Sequence, residues 1–264
     1  MSEAFNLPRI PSAEPSVSYI DFASTPLAKW YSGSYALIVD NLFSHEECKN
    51  LIALAESTET DDGKGWQPAK LNIGPLPTDQ ILDTRYRYND RILRFDHDVA
   101  SQIYDRVLPL VEKDIGTITN GSRWGRIVSG GNSEQVQGTW NLVGLNERLS
   151  FLRYGPGHFF KDHLDGRLDL PDGRKSRVTI QIYLNGSDTG ILEGGATRFC
   201  GPGYWDPKDS GGDVRFQPKI LDVEPKTGRA LIFQQRGLYH SGETVHRGLK
   251  YTMRTDFMFE QIYT

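Results

Sequence analysis

The sequence predicts a mainly β domain with flanking α-helices, and three observations carry that expectation. Glycine makes up 27 of 264 residues, aromatics 11% and hydrophobic residues 38%, a composition that suits a turn-rich sheet protein better than a helical bundle or a disordered chain. From Arg148 onward, short runs rich in Val, Ile, Tyr and Phe are separated by Gly- and Pro-bearing turns, which is the pattern of successive strands. Apolar stripes with helical spacing are confined to the N-terminal half. A single all-β domain of this length is ordinary.

In chain order, residues 1–17 hold three prolines with polar spacers, and read as a flexible arm or an extended strap ahead of one domain over 18–264. The apolar run from Tyr35 to Val39 predicts a strand. Ser44 followed by Glu47 has the form of a capping box. It opens a helix whose Leu51, Ile52 and Leu54 face the sheet and whose Cys48 serves as a small core residue. Residues 58–84 mix Gly, Asp and Pro without periodicity and read as a loop. A second helix is expected from about Asp96 to Asp114, with Val99, Ile103, Val107 and Val111 on one stripe and with Pro109 bending or fraying it. Gly121 to Gly138 reads as hairpins or loops. The insert between Cys200 and Val223 holds a Gly- and Pro-containing stretch from Asp206 to Phe216 that reads as a mobile lid. No internal repeat or low-complexity tract appears.

The net charge is −4 and the pI about 5.9, so no global footprint for a polyanion exists and no nucleic-acid partner is expected. Arg85 and Arg87, with Arg91 and Arg94 beyond, form a local basic run. Cys48 and Cys200 are far apart and unpaired in motif, as free thiols of a reducing compartment are. No apolar run has the length of a membrane span, and the N-terminus lacks the basic-then-apolar order of a secretory signal. A cytoplasmic location without membrane contact is the expectation.

The chemically informative segment is His163-Leu164-Asp165, joined by His240 and by Lys250 ten positions later. Side chains two apart on an extended chain share a face, so His163 and Asp165 can bind one ion while Leu164 turns away. Two imidazoles and a carboxylate leave half of a metal's coordination shell free, as non-heme Fe(II) oxygenases require. His246 competes with His240 for the third position. His158 lies in a glycine-rich approach to the site and reads as a solvated loop histidine or a substrate contact, while His45 and His97 fall at helix starts.

Around these residues stand Phe151-Leu-Arg-Tyr154-Gly-Pro-Gly157-His-Phe-Phe160, Arg177-Val-Thr179-Ile-Gln-Ile-Tyr183-Leu-Asn185, Glu193-Gly-Gly195-Ala-Thr197-Arg198-Phe199, Val223-Glu-Pro225 running to Phe233, and His240-Ser-Gly242 running to Lys250. In order and spacing the chain resembles the prolyl 4-hydroxylase-like group of 2-oxoglutarate/Fe(II) dioxygenases, closely over about 147–260 and more loosely over about 35–110. The resemblance implies a double-stranded β-helix, a cupin-like jelly roll of about eight core strands with the N-terminal helices packed on one sheet. It puts His163, Asp165 and His240 at the metal, which leaves His246 as a turn residue.

The same resemblance puts Lys250 on the distal carboxylate of 2-oxoglutarate, with Tyr154, Tyr183 and Thr179 lining the cosubstrate pocket. Fe(II), 2-oxoglutarate and O2 are the implied cofactors, with ascorbate an optional reductant. Where the family often carries Tyr three residues before its first iron ligand, this chain has Phe160, which removes one hydroxyl from the site.

The implied activity is oxidative decarboxylation of 2-oxoglutarate to succinate and CO2, coupled to hydroxylation of a small, amino-acid-like or carboxylate-bearing molecule. Substrate contacts are expected from Phe160, Arg198, Arg85, Arg87 and Arg91; a guanidinium fork matches a carboxylate bidentately. The run from Arg85 to Arg91 reads equally well as surface pairing with Asp83, Asp90 and Asp96. Alternatives are a peptidyl prolyl hydroxylase, and iron-driven desaturation or ring closure. Halogenation is disfavoured because Asp165 keeps the carboxylate that a halide replaces. Nucleic-acid demethylation and a metal-free cupin-like binding module are the remaining, weaker readings. Oligomeric state is not legible.

Overall fold

The chain opens with an extended segment that is pinned to a helix. The structure, a computed structural model, describes residues 5–60, 63–74, 79–129, 136–202 and 219–263. The stretch 206–216, expected as a lid, lies outside the described residues. Leu7 is buried; its N–H donates to Gln102 Oε1 over 2.6 Å, and the Arg106 guanidinium donates to the Pro8 carbonyl.

We number the strands of the two large sheets β1 Ser16–Tyr19, β2 Ala36–Asp40, β3 Gln67–Pro68, β4 Arg87–Tyr88, β5 Asp90–Phe95, β6 Thr117–Ile118, β7 Thr139–Leu145, β8 Arg148–Tyr154, β9 Phe159–His163, β10 Lys175–Tyr183, β11 Thr197–Cys200, β12 Ile220–Val223, β13 Ala230–Gln234, β14 His240–Gly242 and β15 Lys250–Ile262. The principal helices are α1 His45–Glu56 and α2 His97–Ile115. The larger sheet runs β1-β2-β13-β10-β15-β8-β5-β3, with β7 also paired to β15 and β6 to β7. The smaller runs β12-β11-β14-β9-β4. Every pairing in them is antiparallel. Two sheets of interleaved antiparallel strands are the expected double-stranded β-helix.

Strand alternation sorts side chains onto two sides of the larger sheet. On β10, Val178, Ile180 and Ile182 join a core shared with Leu51 of α1 and with Val99, Ile103, Val107 and Val111 of α2. Their neighbours Thr179, Gln181 and Tyr183 point the other way. On β13, Ala230 and Ile232 belong to the helix side, whereas Leu231 and Phe233 pack between the sheets with Tyr183, Phe199 and Leu238. Both helices thus cover the outer face of one sheet, which leaves the space between the sheets for a site.

Each helix starts where its cap directs. The Ser44 hydroxyl accepts from Glu47 N at 3.2 Å while Glu47 Oε2 accepts from Ser44 N at 2.8 Å, so two otherwise orphaned donors are satisfied reciprocally. Glu47 also pairs with Arg106 at 2.8 Å, which ties α1 to α2. Asp96 caps α2 by accepting from Val99 N. Helix α2 runs through Pro109 to Ile115, close to the expected bounds. Pro109 is exposed, so its ring crowds only the solvent side while Val107 and Val111 hold the buried stripe. Within 58–84, two short pairings replace the expected loop: Glu59–Thr60 with Gly63–Lys64, and Leu71–Asn72 with Gln80–Ile81.

Candidate active site

His163 closes β9, and His240 opens β14 directly opposite it in the antiparallel register. This pairing joins residues distant in sequence and sets their rings 4.4 Å apart between centroids. Asp165 lies just beyond β9, with Oδ1 3.7 Å from Nε2 of each histidine. His163 Nδ1 lies 2.8 Å from the Lys161 carbonyl and His240 Nδ1 3.1 Å from the Leu238 carbonyl. A carbonyl can only accept, so each Nδ1 carries the proton and each Nε2 lone pair faces the centre. Asp165 Oδ2 accepts from the Thr179 hydroxyl at 2.6 Å.

Burial, then the neighbouring His240, pushes His163 down to about 3, so the imidazole is neutral and free to donate. For Asp165 burial alone would raise the carboxyl, but Arg254 and the two imidazoles bring it down to about 2. The three donor atoms all lie within 4.8 Å of one another. Two imidazoles and one carboxylate on one side of a cavity fit a ferrous ion with open positions.

The trio opens into a cavity of about 440 Å³ that Tyr154, Phe160, Gln181, Thr197 and Lys250 also line. Lys250 begins β15 and is 2% exposed, with Nζ 5.0 Å from the Tyr154 ring centre and 5.6 Å from that of Tyr183. Burial pushes its ammonium down to about 8, against the pull of Glu224 and Glu243. Gly195 adopts φ +76°, and a Cβ there would press to 3.0 Å on Lys250 Cδ, so the glycine leaves room for the lysine stem. The Tyr183 hydroxyl donates to Thr197 Oγ1 at 2.7 Å, and Gln181 Nε2 donates to the same oxygen at 2.8 Å.

Residues 149–257 match the 2OG-Fe(II) oxygenase superfamily profile. Over that span the chain carries the superfamily's sequence pattern. Proteins of that superfamily use Fe(II), 2-oxoglutarate and O2, and His163, Asp165 and His240 are grouped here as a candidate place for the ion. In structure the chain is similar to a Pseudomonas putida prolyl-4-hydroxylase, with a TM-score of 0.51 at 15% identity over 90% of this chain and 94% of that one; this likeness supports the fold. It is also similar to the non-heme alpha ketoglutarate dependent epimerase SnoN from nogalamycin biosynthesis, at TM-score 0.47 and 13% identity over 89% and 82%. A third similar structure is the viral collagen prolyl hydroxylase of Paramecium Bursaria Chlorella virus-1, at 0.45 and 17% over 86% and 97%. No curated protein matches the sequence. Among the described residues no helix is long and apolar enough to cross a membrane.

The remaining expected site residues of the oxygenase divide by geometry. Arg87, Arg91 and Phe160 line the cavity. Phe160 stacks on the His163 imidazole at 3.7 Å and 19°, so its ring braces that candidate ligand. Arg198 and Arg85 stand elsewhere. Thr197 and Phe199 of β11 face inward, so alternation sends Arg198 outward, where it pairs with Asp222 at 2.7 Å and Glu243 at 2.6 Å. Arg85 is exposed and pairs with Asp83 at 3.1 Å. Thr179 reaches Asp165 directly, behind the cavity wall. His158 is half-buried in the loop before β9, its ring 4.0 Å from that of Tyr88 at a tilt of 38°, so it is not fully solvated. His246 is exposed.

Sequence reasoning missed Arg254, Asp256 and Arg148, all of which line the cavity. A usable signal existed for the first two. Lys250, Arg254 and Asp256 are separated by even steps on one strand, so a lysine assigned inward carries both with it.

Proposed function

We propose that this oxygenase hydroxylates a small carboxylate-bearing or amino-acid-like molecule, anchoring 2-oxoglutarate through Lys250 and the metal through His163, Asp165 and His240. One observation carries the reading: the three donors and a deeply buried lysine open into one cavity. Among the described residues no carboxylate pairs with this buried ammonium, and such a group asks for an anion. The distal carboxylate of a cosubstrate that reaches the metal from its keto-acid end supplies one. Bound iron would supply the oxidising power, using O2 and the electrons released as 2-oxoglutarate loses CO2.

The protein's own residues do the positioning. Thr179 and the two backbone carbonyls fix the ligand rotamers, Phe160 covers one face of His163, and Tyr154 and Tyr183 flank the lysine. The cavity, at about 440 Å³, lies within the range of small-molecule sites. The test is succinate formation by the iron-loaded protein with 2-oxoglutarate and a panel of amino and carboxylic acids. Turnover stimulated by such an acid supports the reading, and absence of any succinate sinks it.

A second reading has its own observation. A cavity of about 340 Å³ adjoins the first and shares Lys70 and Arg91 with it, so an elongated substrate such as a proline-containing peptide can extend there. Stimulation of succinate formation by a proline peptide, and by no free acid, would favour this over the small molecule.

A further inference from the structure

The end of the cavity away from Lys250 is explained by neither the metal nor 2-oxoglutarate. Strands β5, β8 and β15 lie side by side, with Arg91 opposite Leu152, Leu152 opposite Thr252, and Ser150 opposite both Leu93 and Arg254. Alternation therefore brings Arg91, Arg148, Arg254 and Asp256 to the cavity with Lys250, and all of them line it. Arg87 enters from β4 of the facing sheet, its guanidinium carbon 4.5 Å from the Phe160 ring centre and its Nε donating to Asn89 Oδ1 at 2.8 Å.

Among the described lining residues the carboxylates are two, Asp165 and Asp256, and both are engaged. Asp165 belongs to the metal trio and takes Arg254 at 3.0 Å. Asp256 Oδ1 takes Gln235 at 2.9 Å and Arg254 at 3.3 Å. Among the described residues, the guanidinium groups of Arg91 and Arg148 have no side-chain hydrogen bond or ion pair, and Arg87 has none with a carboxylate. Burial, then the charges of Arg87 and Arg148, pushes Arg91 down to about 10, and the Arg87 and Arg148 guanidinium groups are also lowered, first by burial. Three partly buried cations that repel one another make an incomplete arrangement. An anion completes it.

Around Arg148 that anion is not the cosubstrate. Arg148 precedes Ser150 by two residues on β8, as Asp256 follows Arg254 by two on the antiparallel β15, so Arg148 sits level with Asp256. Six residues of β15 separate Asp256 from Lys250, a rise of roughly 20 Å. A five-carbon diacid held by Lys250 and the metal does not extend so far.

We propose that Arg87, Arg91 and Arg148 form the subsite for an anionic group of the substrate, a carboxylate or a phosphate. The inference rests on the proposed function, because it takes the cavity to hold an oxidisable molecule beside the metal trio. Guanidinium forks bind either oxyanion bidentately. Lys70, at the junction with the second cavity, adds a fourth cation for an extended substrate.

The test uses the full chain loaded with Mn(II) and saturated with 2-oxoglutarate, so that Lys250 is occupied. Hexanoate and hexyl phosphate are then titrated calorimetrically. The subsite predicts that one of them binds, and the stronger identifies the headgroup. Arg91→Gln and Arg148→Gln each weaken that binding roughly tenfold, the loss expected for a charge-assisted hydrogen-bonding partner. Arg91→Lys, which keeps the charge, retains most of it and serves even if an Arg148 variant misfolds.

Binding of neither probe, or binding unchanged in the Arg91→Gln/Arg148→Gln double variant, overturns the subsite while 2-oxoglutarate binding leaves the proposed function standing. Equal losses of probe and 2-oxoglutarate also overturn it, reassigning the arginines to the cosubstrate. Failure of the unmodified chain to bind 2-oxoglutarate overturns both proposals.

Discussion

Arg254 Nη1 lies 3.0 Å from Asp165 Oδ1, the same carboxylate oxygen that faces Nε2 of both His163 and His240 at 3.7 Å. An arginine and two imidazoles thus converge on one atom that is also a candidate metal donor. The Asp165 side chain is 2% exposed, so its charge depends on that neighbour whenever no cation occupies the trio.

Arg254→Gln is therefore expected to destabilise the metal-free protein by about 3 kcal/mol, since removing one member of a buried pair strands the other. A divalent cation restores a counter-charge. Urea unfolding with and without Mn(II) should show a larger metal-induced stabilisation in the variant than in the parent, and equal increments would refute the idea.

Metal binding itself is expected to need both strand ends. A cation at 100 times its dissociation constant stabilises the folded state by about 2.7 kcal/mol. The rise in thermal midpoint on adding Mn(II) should vanish in His163→Ala and in His240→Ala, and persist in His246→Ala. A persistent rise in the first two would remove the trio from consideration.

Lys250 gives a pH dependence with a definite sign. Its ammonium, pushed down to about 8 by burial, is protonated below that pH and meets the distal carboxylate of 2-oxoglutarate as a charge. Above it the free protein carries a neutral amine and must take up a proton on binding. Affinity for 2-oxoglutarate should fall by about tenfold per pH unit above 8, and be level from 6 to 7.5. Lys250→Met should lower affinity about a hundredfold and abolish the slope. Gly195→Ala, which crowds the lysine stem, should weaken binding as well. An unsloped profile in the parent would reassign the lysine.

Arg198→Ala separates surface pairing from substrate binding. Its guanidinium is held by Asp222 and Glu243, both partly exposed, and pairs of that kind contribute about 1 kcal/mol or less. A slight loss of stability with unaltered substrate stimulation of succinate formation is expected. Loss of that stimulation would put Arg198 back at the site.

The grouping of His163, Asp165 and His240 was readable because its chemistry is encoded in residue type. His163 and Asp165 are two apart on an extended segment, and few residue types hold a ferrous ion. The capping box at Ser44 and the stripe from Val99 to Val111 were readable for the same reason, since each is a local rule obeyed within a few residues. Lys250 came with the resemblance to 2-oxoglutarate/Fe(II) dioxygenases, ten positions after His240.

What sequence left undecided was the facing of strands. Arg198 was expected inward and stands outward, because a shift of one residue on β11 reverses every side chain. Arg254, Arg148 and Asp256 went unnoticed because each gains meaning only where β15 lies beside β8 and opposite the smaller sheet. Residue types and short spacings determined that this chain can hold iron and a diacid. Which charges surround the open side of the metal was decided by antiparallel register alone, since contacts between strands arise from pairing and not from proximity along the chain.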